Sequence, residues 1–222
     1  MMAVRKERCV LTGAIVLLTL IANTAAAQLE PPCTANSPER RGGIGCSIVE
    51  DKPLPATLKG PLFWHIDRFD SLDRARAAAG PASIAFDAHG ASWLMTIESN
   101  TDDHHGGRHV TQVGLGPLPP APKYSILAIS AFIPAGMTSR FHHHSGPEAF
   151  YAVDGEQCLE TPTGIHKMPK GGTLVIPAGV TMRLVANGAT PRRTLAVIVY
   201  NAAQPATTRM DAEPIPPLQS CK

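Results

Sequence analysis

A run of three histidines followed by a glutamate offers the clearest chemistry in this sequence. His142, His143 and His144 are consecutive, and Glu148 follows after the Ser145-Gly146-Pro147 segment. On a β-strand, His142 and His144 would point to one face, and Glu148 has the same parity along the chain. Two imidazoles and a carboxylate are suitable ligands for a divalent metal ion. The intervening segment leaves convergence open, and a solvated polar run is the alternative.

A second group of carboxylates and imidazoles lies earlier in the chain. It comprises Asp102-Asp103-His104-His105 and His109, with two glycines between them. The mixture suggests a second metal site, but the glycines favour a solvated turn between two strands, which is the interpretation we adopt. Three further histidines are isolated in sequence, and any of them can supply a ligand from another strand: His65, His89 and His166.

The elements that must position these side chains are short strands. The chain has 222 residues with 19 Gly and 21 Pro, so turns are frequent and long helices are disfavoured. Apolar runs alternate with turn sequences such as Asp154-Gly155 and Asn187-Gly188. This pattern predicts an all-β sandwich or barrel. The predicted strands are 92–98, 109–115, 124–133, 149–153, 173–176, 182–185 and 194–200.

One short helix is predicted, over residues 71–79. Asp70 or Ser71 can cap its N-terminus, and Gly80-Pro81 stops it. The helix lies in the first part of the barrel domain predicted for residues 62–203.

Proline-rich segments flank this domain. Residues 28–61 contain six prolines and are expected to form an irregular arm, and residues 204–222 are expected to form a C-terminal tail.

The first 27 residues have the pattern of a secretory signal peptide. The basic residues Arg5, Lys6 and Arg8 precede a 13-residue apolar run, and an Ala-x-Ala site ends at Ala27. The run is shorter than the ~20 residues that span a bilayer, so cleavage is favoured over an uncleaved anchor. We expect cleavage after Ala27 and a soluble protein in the periplasm or outside the cell. The net charge of +2 gives no indication of nucleic-acid binding.

Four cysteines follow the predicted cleavage site. An even number in an oxidising compartment suggests disulfides, and four cysteines allow three connectivities. Free thiols or a metal site are the alternatives, although no Cys-x-x-Cys spacing is present. We favour Cys33–Cys46, which closes a short loop, and Cys158–Cys221, which would attach the tail to the core.

The histidine run is part of a longer pattern that resembles the first conserved motif of the cupin superfamily. The matching positions are Gly136, His142, His144, Glu148 and Gly155. A segment similar to the second cupin motif follows, with Gly171, Pro177 and Gly179 at the expected spacing. The resemblance covers about 124–200, which we take as the motif core. It implies a cupin jelly-roll β-barrel with a site inside.

By this resemblance, His142, His144 and Glu148 take the roles of metal ligands. The family's fourth ligand is a histidine, and this chain has Met182 at that position. Three outcomes follow: a metal held by two His and one Glu, a copper ion that also uses Met182, or loss of metal binding. The candidate ions are Fe, Mn, Ni, Zn and Cu. Phe141 and Phe150 flank the motif and can line a pocket, although barrel core is the plainer interpretation.

Two functions are compatible with these residues. The first is an exported metal-dependent cupin enzyme that acts on a small organic molecule, with dioxygenases and isomerases both common in the superfamily. The second is a non-catalytic small-ligand-binding cupin that has lost metal binding through Met182. The resemblance also implies a homodimer, since cupins often pair through an edge strand or arm. Fold alone does not decide between the two functions.

Overall fold

The computed structural model describes most of the chain after the predicted signal peptide. The described residues are 33–35, 44–101, 105–212, 214 and 220–221. The predicted signal peptide, residues 1–27, lies outside them. Within the described residues, none of the helical structure has the length and apolar character needed to cross a membrane.

The described residues form one short helix and fifteen strands. The helix is α1 (Leu72–Ala78). The strands are β1 (Thr34–Ala35), β2 (Gly45–Pro53), β3 (Phe63–Phe69), β4 (Ser83–Ala88), β5 (Ala91–Glu98), β6 (Arg108–Gly114), β7 (Tyr124–Ile133), β8 (His142–His144), β9 (Glu148–Asp154), β10 (Gln157–Thr161), β11 (Gly164–Met168), β12 (Thr173–Ile176), β13 (Arg183–Val185), β14 (Arg192–Asn201) and β15 (Thr207–Arg209).

The barrel is built from a large sheet and two small ones. The six-stranded sheet has the order β1-β2-β7-β14-β9-β12, and the smaller sheets are β11-β10-β13 and β15-β8. Two isolated bridges, Thr138 to Val185 and His142 to Met182, join the segments of the small sheets. Together these sheets enclose an apolar interior. The predicted all-β jelly-roll barrel with one short helix is confirmed.

The central strands β7 and β14 are apolar on both faces because both faces are buried. On β7, Leu127 and Ile129 face the barrel interior, whereas Ile126 and Ala128 belong to a second core on the outer face of the sheet. Successive side chains of a strand point to opposite faces. This double burial explains the continuous apolar runs that the sequence shows in these strands.

The second core lies under a separate four-stranded sheet with the order β4-β5-β3-β6. Strands β3 to β6, within the predicted domain 62–203, therefore belong to this sheet and not to the six-stranded sheet of the barrel. Trp64 and Ile66 on β3, with Trp93 and Met95 on β5, pack against the outer face of the six-stranded sheet. The extra sheet covers apolar surface that would otherwise be exposed.

Helix α1 packs on the opposite face of the four-stranded sheet. Ser71 caps the helix and accepts a hydrogen bond from the backbone N–H of Arg74 at 3.3 Å. Ala75 is fully buried and forms a small core with Phe69 and Leu94. The predicted helix is therefore confirmed.

The two flanking segments are more ordered than the sequence suggests. Within the expected irregular arm, 28–61, strand β2 pairs antiparallel with β7 over its whole length. Its proline, Pro53, stands at the strand end, where it interrupts no internal pairing. Within the expected tail, 204–222, strand β15 pairs with β8.

Two disulfides secure these segments to the barrel. Cys33 is joined to Cys46 with a Cα–Cα distance of 4.2 Å, and Cys158 is joined to Cys221 with a Cα–Cα distance of 6.1 Å. The same connectivity is predicted from the sequence. The backbone N–H of Cys221 also donates to Glu160 Oε1 at 2.7 Å, so the chain end contacts the barrel wall at a second point.

Candidate metal centre

Strands β8 and β9 bring the three sequence-predicted ligands together. His142 and His144 point to the same side of β8, and Glu148 begins β9, where it pairs with Ile176 and Ile198. The turn between the two strands requires Gly146, because a Cβ there would overlap the carbonyl oxygen of Val199. At this turn the chain therefore lies directly against the neighbouring strand β14.

The donor atoms of the three side chains converge on one point inside the barrel. One donor atom from each of His142, His144 and Glu148 lies within 4.8 Å of the others. All three residues are buried, with exposed fractions of 9%, 4% and 5%. His144 Nε2 and Glu148 Oε2 lie 2.9 Å apart, yet they are not aligned as a hydrogen bond, and neither atom has a hydrogen-bond partner among the described residues.

The backbone fixes the tautomer of both histidines. His142 Nδ1 lies 2.8 Å from the carbonyl oxygen of Arg140, and His144 Nδ1 lies 2.8 Å from the carbonyl oxygen of Ala206. A carbonyl oxygen only accepts, so each Nδ1 carries the proton and donates it. The Nε2 lone pair of each neutral imidazole is then left for a ligand in the barrel, which is the usual arrangement in metal-binding histidines.

The electrostatics of the two imidazoles differ. Burial, together with the nearby His144, lowers the pKa of His142 below its ordinary value, so this imidazole stays neutral. Burial is the largest single influence on His144 and opposes its protonation, but the charge and close contact of Glu148, together with the Ala206 carbonyl, outweigh burial and raise the pKa of His144. Without a cation, the neighbouring carboxylate of Glu148 therefore makes protonation of His144 easier than that of an ordinary histidine.

The three residues fit a divalent metal ion. Two unprotonated Nε2 atoms and a carboxylate oxygen form a donor set suited to Zn, Fe, Mn, Ni or Cu ions. The unsatisfied Nε2 of His144 and Oε2 of Glu148 are buried polar atoms that cost free energy unless a partner is present. A cation at this point would satisfy both atoms.

Met182 stands beside the centre, at the position where the motif resemblance predicts a fourth ligand. It lies directly opposite His142, and the two residues exchange backbone hydrogen bonds of 2.8 and 3.1 Å. Directly opposed residues in an antiparallel pair place their side chains on the same face. The side chain of Met182 is fully buried and belongs to the apolar interior of the barrel.

A cavity of about 370 Å³ adjoins the centre. His142 and Glu148 line it, and so do the apolar side chains of Ile129, Phe150 and Leu184. Phe150 lines this cavity and also belongs to the buried core of the barrel, whereas Phe141 is not among the lining residues. Phe141 instead lies under the guanidinium of Arg183, with 4.7 Å between the guanidinium carbon and the ring centre.

Three arginines also line the cavity: Arg140, Arg192 and Arg209. Arg192 is buried, and its guanidinium donates to the side-chain oxygen of Gln157 at 2.7 Å. Thr194 donates to the same oxygen at 3.0 Å. The two carboxylates of the lining belong to Glu148 and Asp211. The cavity therefore combines an apolar wall with an excess of guanidinium groups.

Sequence reasoning missed the contribution of the C-terminal tail. The tail supplies the carbonyl of Ala206 to His144, and it brings Arg209 and Asp211 to the cavity. A backbone carbonyl has no sequence signature, and a three-residue strand such as β15 is too short to show a pattern.

The remaining histidines lie away from this centre. His143 projects from the other side of β8, where it lines a separate surface pocket with Ser145 and Pro205. His89 lies in the β4–β5 turn, and His166 contacts Thr161 on β10. His65 lies on the four-stranded sheet. Within the described residues, no isolated histidine joins the group formed by His142, His144 and Glu148.

Comparisons with known proteins find similarity in fold only. No family model matches the chain, and no curated protein matches it. A variant of salicylate 1,2-dioxygenase from Pseudoaminobacter salicylatoxidans, solved with gentisate, is 19% identical over 32% of this chain and 19% of its own, with a TM-score of 0.30. DMSP lyase DddQ from Ruegeria pomeroyi is 19% identical over 40% of this chain and 45% of its own, with a TM-score of 0.35.

A cupin-like protein from Thermotoga maritima is also similar. It is 14% identical over 39% of this chain and 64% of its own, with a TM-score of 0.34. The matched region thus spans about a fifth of the dioxygenase and less than half of the lyase. The sheet order, with both motifs on its strands, gives this chain the jelly-roll fold that the sequence predicts.

Proposed function

We propose that this protein is a metal-dependent enzyme of the cupin type that acts on a small organic molecule. The observation that carries the proposal is the buried convergence of His142, His144 and Glu148 at the wall of a cavity. Both imidazoles have Nδ1 committed to a backbone carbonyl, so their Nε2 atoms are available as ligands. A purely structural role would not require these polar atoms beside an open cavity.

The lining of the cavity supports an organic acid as substrate. Guanidinium groups bind carboxylates with high geometric specificity, and Arg140, Arg192 and Arg209 line the same space as the metal ligands. Phe150 and Leu184 provide apolar surface for the rest of the molecule. The cavity volume of about 370 Å³ lies in the range of small-molecule sites.

The protein residues would orient the substrate and exclude water. A divalent ion held by the three ligands would supply Lewis acidity or a platform for oxygen. A three-residue ligand set leaves coordination positions open for substrate, as in dioxygenase- or isomerase-like chemistry. The Arg140 carbonyl keeps the His142 ring in place, so that a bound molecule meets a fixed donor set.

The test is metal content and turnover in the exported, untagged protein. Plasma mass spectrometry should find near-stoichiometric divalent metal, and His142→Ala/His144→Ala should remove it. A panel of small organic acids is then assayed for turnover with and without the recovered metal. His143→Ala is the matched control, because His143 projects away from the centre and should leave metal content unchanged. Metal retained in the double variant would disprove the assignment of the ligands.

The burial of Met182 favours a second candidate, a small-ligand-binding cupin without metal. The fourth ligand position is filled by an apolar side chain packed in the barrel interior. A buried methionine commonly serves as core filling. In this case, no metal would be found even after reloading, and the organic acids would bind without turnover. Metal-dependent turnover would exclude this candidate.

We also propose that the protein works outside the cytoplasm, in the periplasm or beyond, and as a homodimer. Disulfides persist in oxidising compartments, and the structure contains two. Fractionation of cells, with N-terminal sequencing of the exported protein, tests cleavage after Ala27. Light scattering during gel filtration tests the dimer, and a monomer at high concentration would contradict it.

A further inference from the structure

The C-terminal strand β15 places an arginine beside the candidate metal centre. Arg209 ends this strand and lies directly opposite His142 on β8, just as Thr207 lies opposite His144. Directly opposed residues of an antiparallel pair point their side chains to the same face, with Cβ atoms about 4.5–5.5 Å apart. The side chains of Arg209 and His142 are therefore close neighbours on the side of β8 that faces the cavity.

The residues around the two pockets agree with this alternation. Arg209 and His142 both line the cavity beside the centre. The intervening pair, Thr208 and His143, lines the separate pocket on the other side of β8. Burial is the main cause of the lowered pKa of His142, and the charge of Arg209 contributes in the same direction. The positive charge of Arg209 thus acts on the imidazole of His142.

Backbone and side-chain contacts hold this end of β15 in place. Immediately after Arg209, the backbone N–H of Met210 donates to the carbonyl oxygen of Phe141 at 2.8 Å. The sulfur of Met210 lies 3.7 Å from the hydroxyl oxygen of Thr181. Arg209 therefore lies between two attachments to the barrel, and its side chain starts from a fixed point.

The guanidinium of Arg209 is available for a ligand. Among the described residues it has no ion-pair partner, and Asp211, which lines the same cavity, is not paired with it. Arg192 differs, because it is buried and its guanidinium already donates to a side-chain amide oxygen. Arg140 is exposed like Arg209, but it precedes β8 and does not lie opposite a candidate ligand. Of the three arginines that line the cavity, Arg209 is the one placed directly beside His142.

We propose that Arg209 binds the carboxylate of the substrate beside His142 and thereby selects 2-hydroxy acids. This inference rests on the proposed function, because it names the class of organic acid for the same cavity. A guanidinium can hold a carboxylate through two parallel N–H···O hydrogen bonds. A carboxylate in that position lies close to the imidazole of His142, so the substrate oxygen that reaches this imidazole, or an ion on it, belongs to the neighbouring carbon atom.

The surroundings of His142 fit a hydroxyl group in this position. Its Nδ1 donates to the carbonyl oxygen of Arg140, so Nε2 has a lone pair and accepts. A 2-hydroxyl can donate to this nitrogen in the metal-free protein, and the same oxygen can bind a metal ion when one is present. Ile129 and Phe150 offer apolar surface to the rest of the molecule.

The experiment measures the binding of three small probes to the exported, untagged protein by isothermal titration calorimetry. The probes are 2-hydroxybutanoate, its neutral amide 2-hydroxybutanamide, and 4-hydroxybutanoate. Each probe is titrated into zinc-loaded protein and into protein stripped with a chelator. The parent should prefer 2-hydroxybutanoate to both other probes. Arg209→Gln should lower the affinity for 2-hydroxybutanoate about tenfold or more, since hydrogen bonds between charged groups are strong.

The amide separates a role in binding from a structural role. Its affinity should be the same in Arg209→Gln and in the parent, because it carries no negative charge. Arg209→Lys should restore part of the affinity for the acid, as lysine keeps the charge but not the paired geometry. Arg68→Gln is the matched control, since Arg68 is an exposed arginine on the four-stranded sheet and its replacement removes the same charge. It should bind all three probes as the parent does.

The two protein preparations distinguish this inference from the proposed function. The zinc content of the loaded protein tests the metal centre, and if zinc is absent, the stripped protein still tests Arg209. Failure of the parent to bind 2-hydroxybutanoate, or an unchanged affinity for it in Arg209→Gln, would overturn the inference. Equal affinities of the parent for 2-hydroxybutanoate and 4-hydroxybutanoate would also overturn it.

Discussion

The Nδ1–H of His144 donates to the carbonyl oxygen of Ala206 at 2.8 Å, across 62 residues of sequence. The hydrogen bond is part of a longer attachment, in which β15 pairs with β8 and the backbone N–H of Met210 donates to the carbonyl of Phe141 at 2.8 Å. The tail is therefore part of the candidate metal centre. It determines which ring nitrogen of His144 is free for a ligand.

This relationship predicts that removal of β15 weakens metal binding. A chain that stops after Asn201, with Cys158→Ser to avoid a free thiol, loses the Ala206 carbonyl. When a metal-binding histidine loses the hydrogen-bond partner of its other ring nitrogen, metal affinity typically falls about 10- to 100-fold. Competition with a chromogenic chelator measures the dissociation constant.

A longer truncation provides the control for this experiment. A chain that stops after Met210, also with Cys158→Ser, retains Ala206 and all of β15. Like the shorter chain, it lacks the Cys158–Cys221 disulfide. Its metal affinity should stay close to that of the parent, and an equal loss in both truncations would argue against a role for Ala206.

The position of Met182 predicts that a histidine there strengthens metal binding. Met182 lies directly opposite His142 with its side chain on the same face, so Met182→His would add a third imidazole beside the centre. Imidazole is a better ligand than a thioether for Zn, Fe, Mn or Ni ions. We expect at least about a tenfold gain in metal affinity, which corresponds to roughly 1.4 kcal/mol of binding free energy.

Met182→Leu is the control for this replacement. It keeps the volume and apolar character of the core, so the affinity for zinc should not change. If the natural ion is copper and Met182 binds it, Met182→Leu should selectively lose copper. An unchanged affinity for zinc in Met182→His would mean that the added ring does not reach the ion.

The barrel and its three candidate metal ligands could be named from the sequence because their signals are local. His142, His144 and Glu148 lie within one short stretch, and the strands around them carry apolar runs and turn residues. Local sequence signals could not distinguish the strands of the four-stranded sheet from those of the barrel. Its strands have the same composition as barrel strands, and only tertiary packing directs Trp64 and Trp93 to the outer face of the large sheet.

Contacts between distant segments were likewise beyond sequence reasoning. The proximity of His65, Glu98 and His105 depends on strand pairing, since β3 pairs with β5 over residues far apart in the chain. The glycines at 106–107 favoured a solvated turn, whereas His105 in the same connection contacts Glu98. Residues 102–104 of that predicted turn lie outside the described residues.

The close packing of the turn between β8 and β9 predicts that one added methyl group destabilises the protein. Gly146→Ala would place a Cβ on the carbonyl of Val199, and strand β14 has no room to withdraw because both its faces are packed. We expect a loss of about 1–3 kcal/mol in the free energy of unfolding, measured by urea denaturation, together with reduced metal content. Gly80→Ala is the control, because the nearest atom to its Cβ would be Ser83 Oγ at 3.7 Å. Equal stability of the two variants would contradict the close approach.

His89 links the two sheets through the β4–β5 turn. It adopts a positive φ of 53°, and its Nε2 lies 3.2 Å from Ser130 Oγ and 3.4 Å from the carbonyl oxygen of Thr194. Burial lowers the pKa of His89, and the positive charge of Arg193 lowers it further, while the contact with the Thr194 carbonyl partly opposes both. The folded state therefore takes up a proton at this ring less readily than the unfolded chain.

This difference predicts the pH dependence of stability. As pH falls below the ordinary histidine pKa of about 6.5, the unfolded chain binds a proton that the folded state resists, so the free energy of unfolding decreases. His89→Asn tolerates the positive φ and removes this proton linkage. Urea denaturation at several values between about pH 7 and 5 should give a flatter dependence for the variant. His142 and His144 contribute equally to both proteins, so parallel curves would show that His89 is not buried as described.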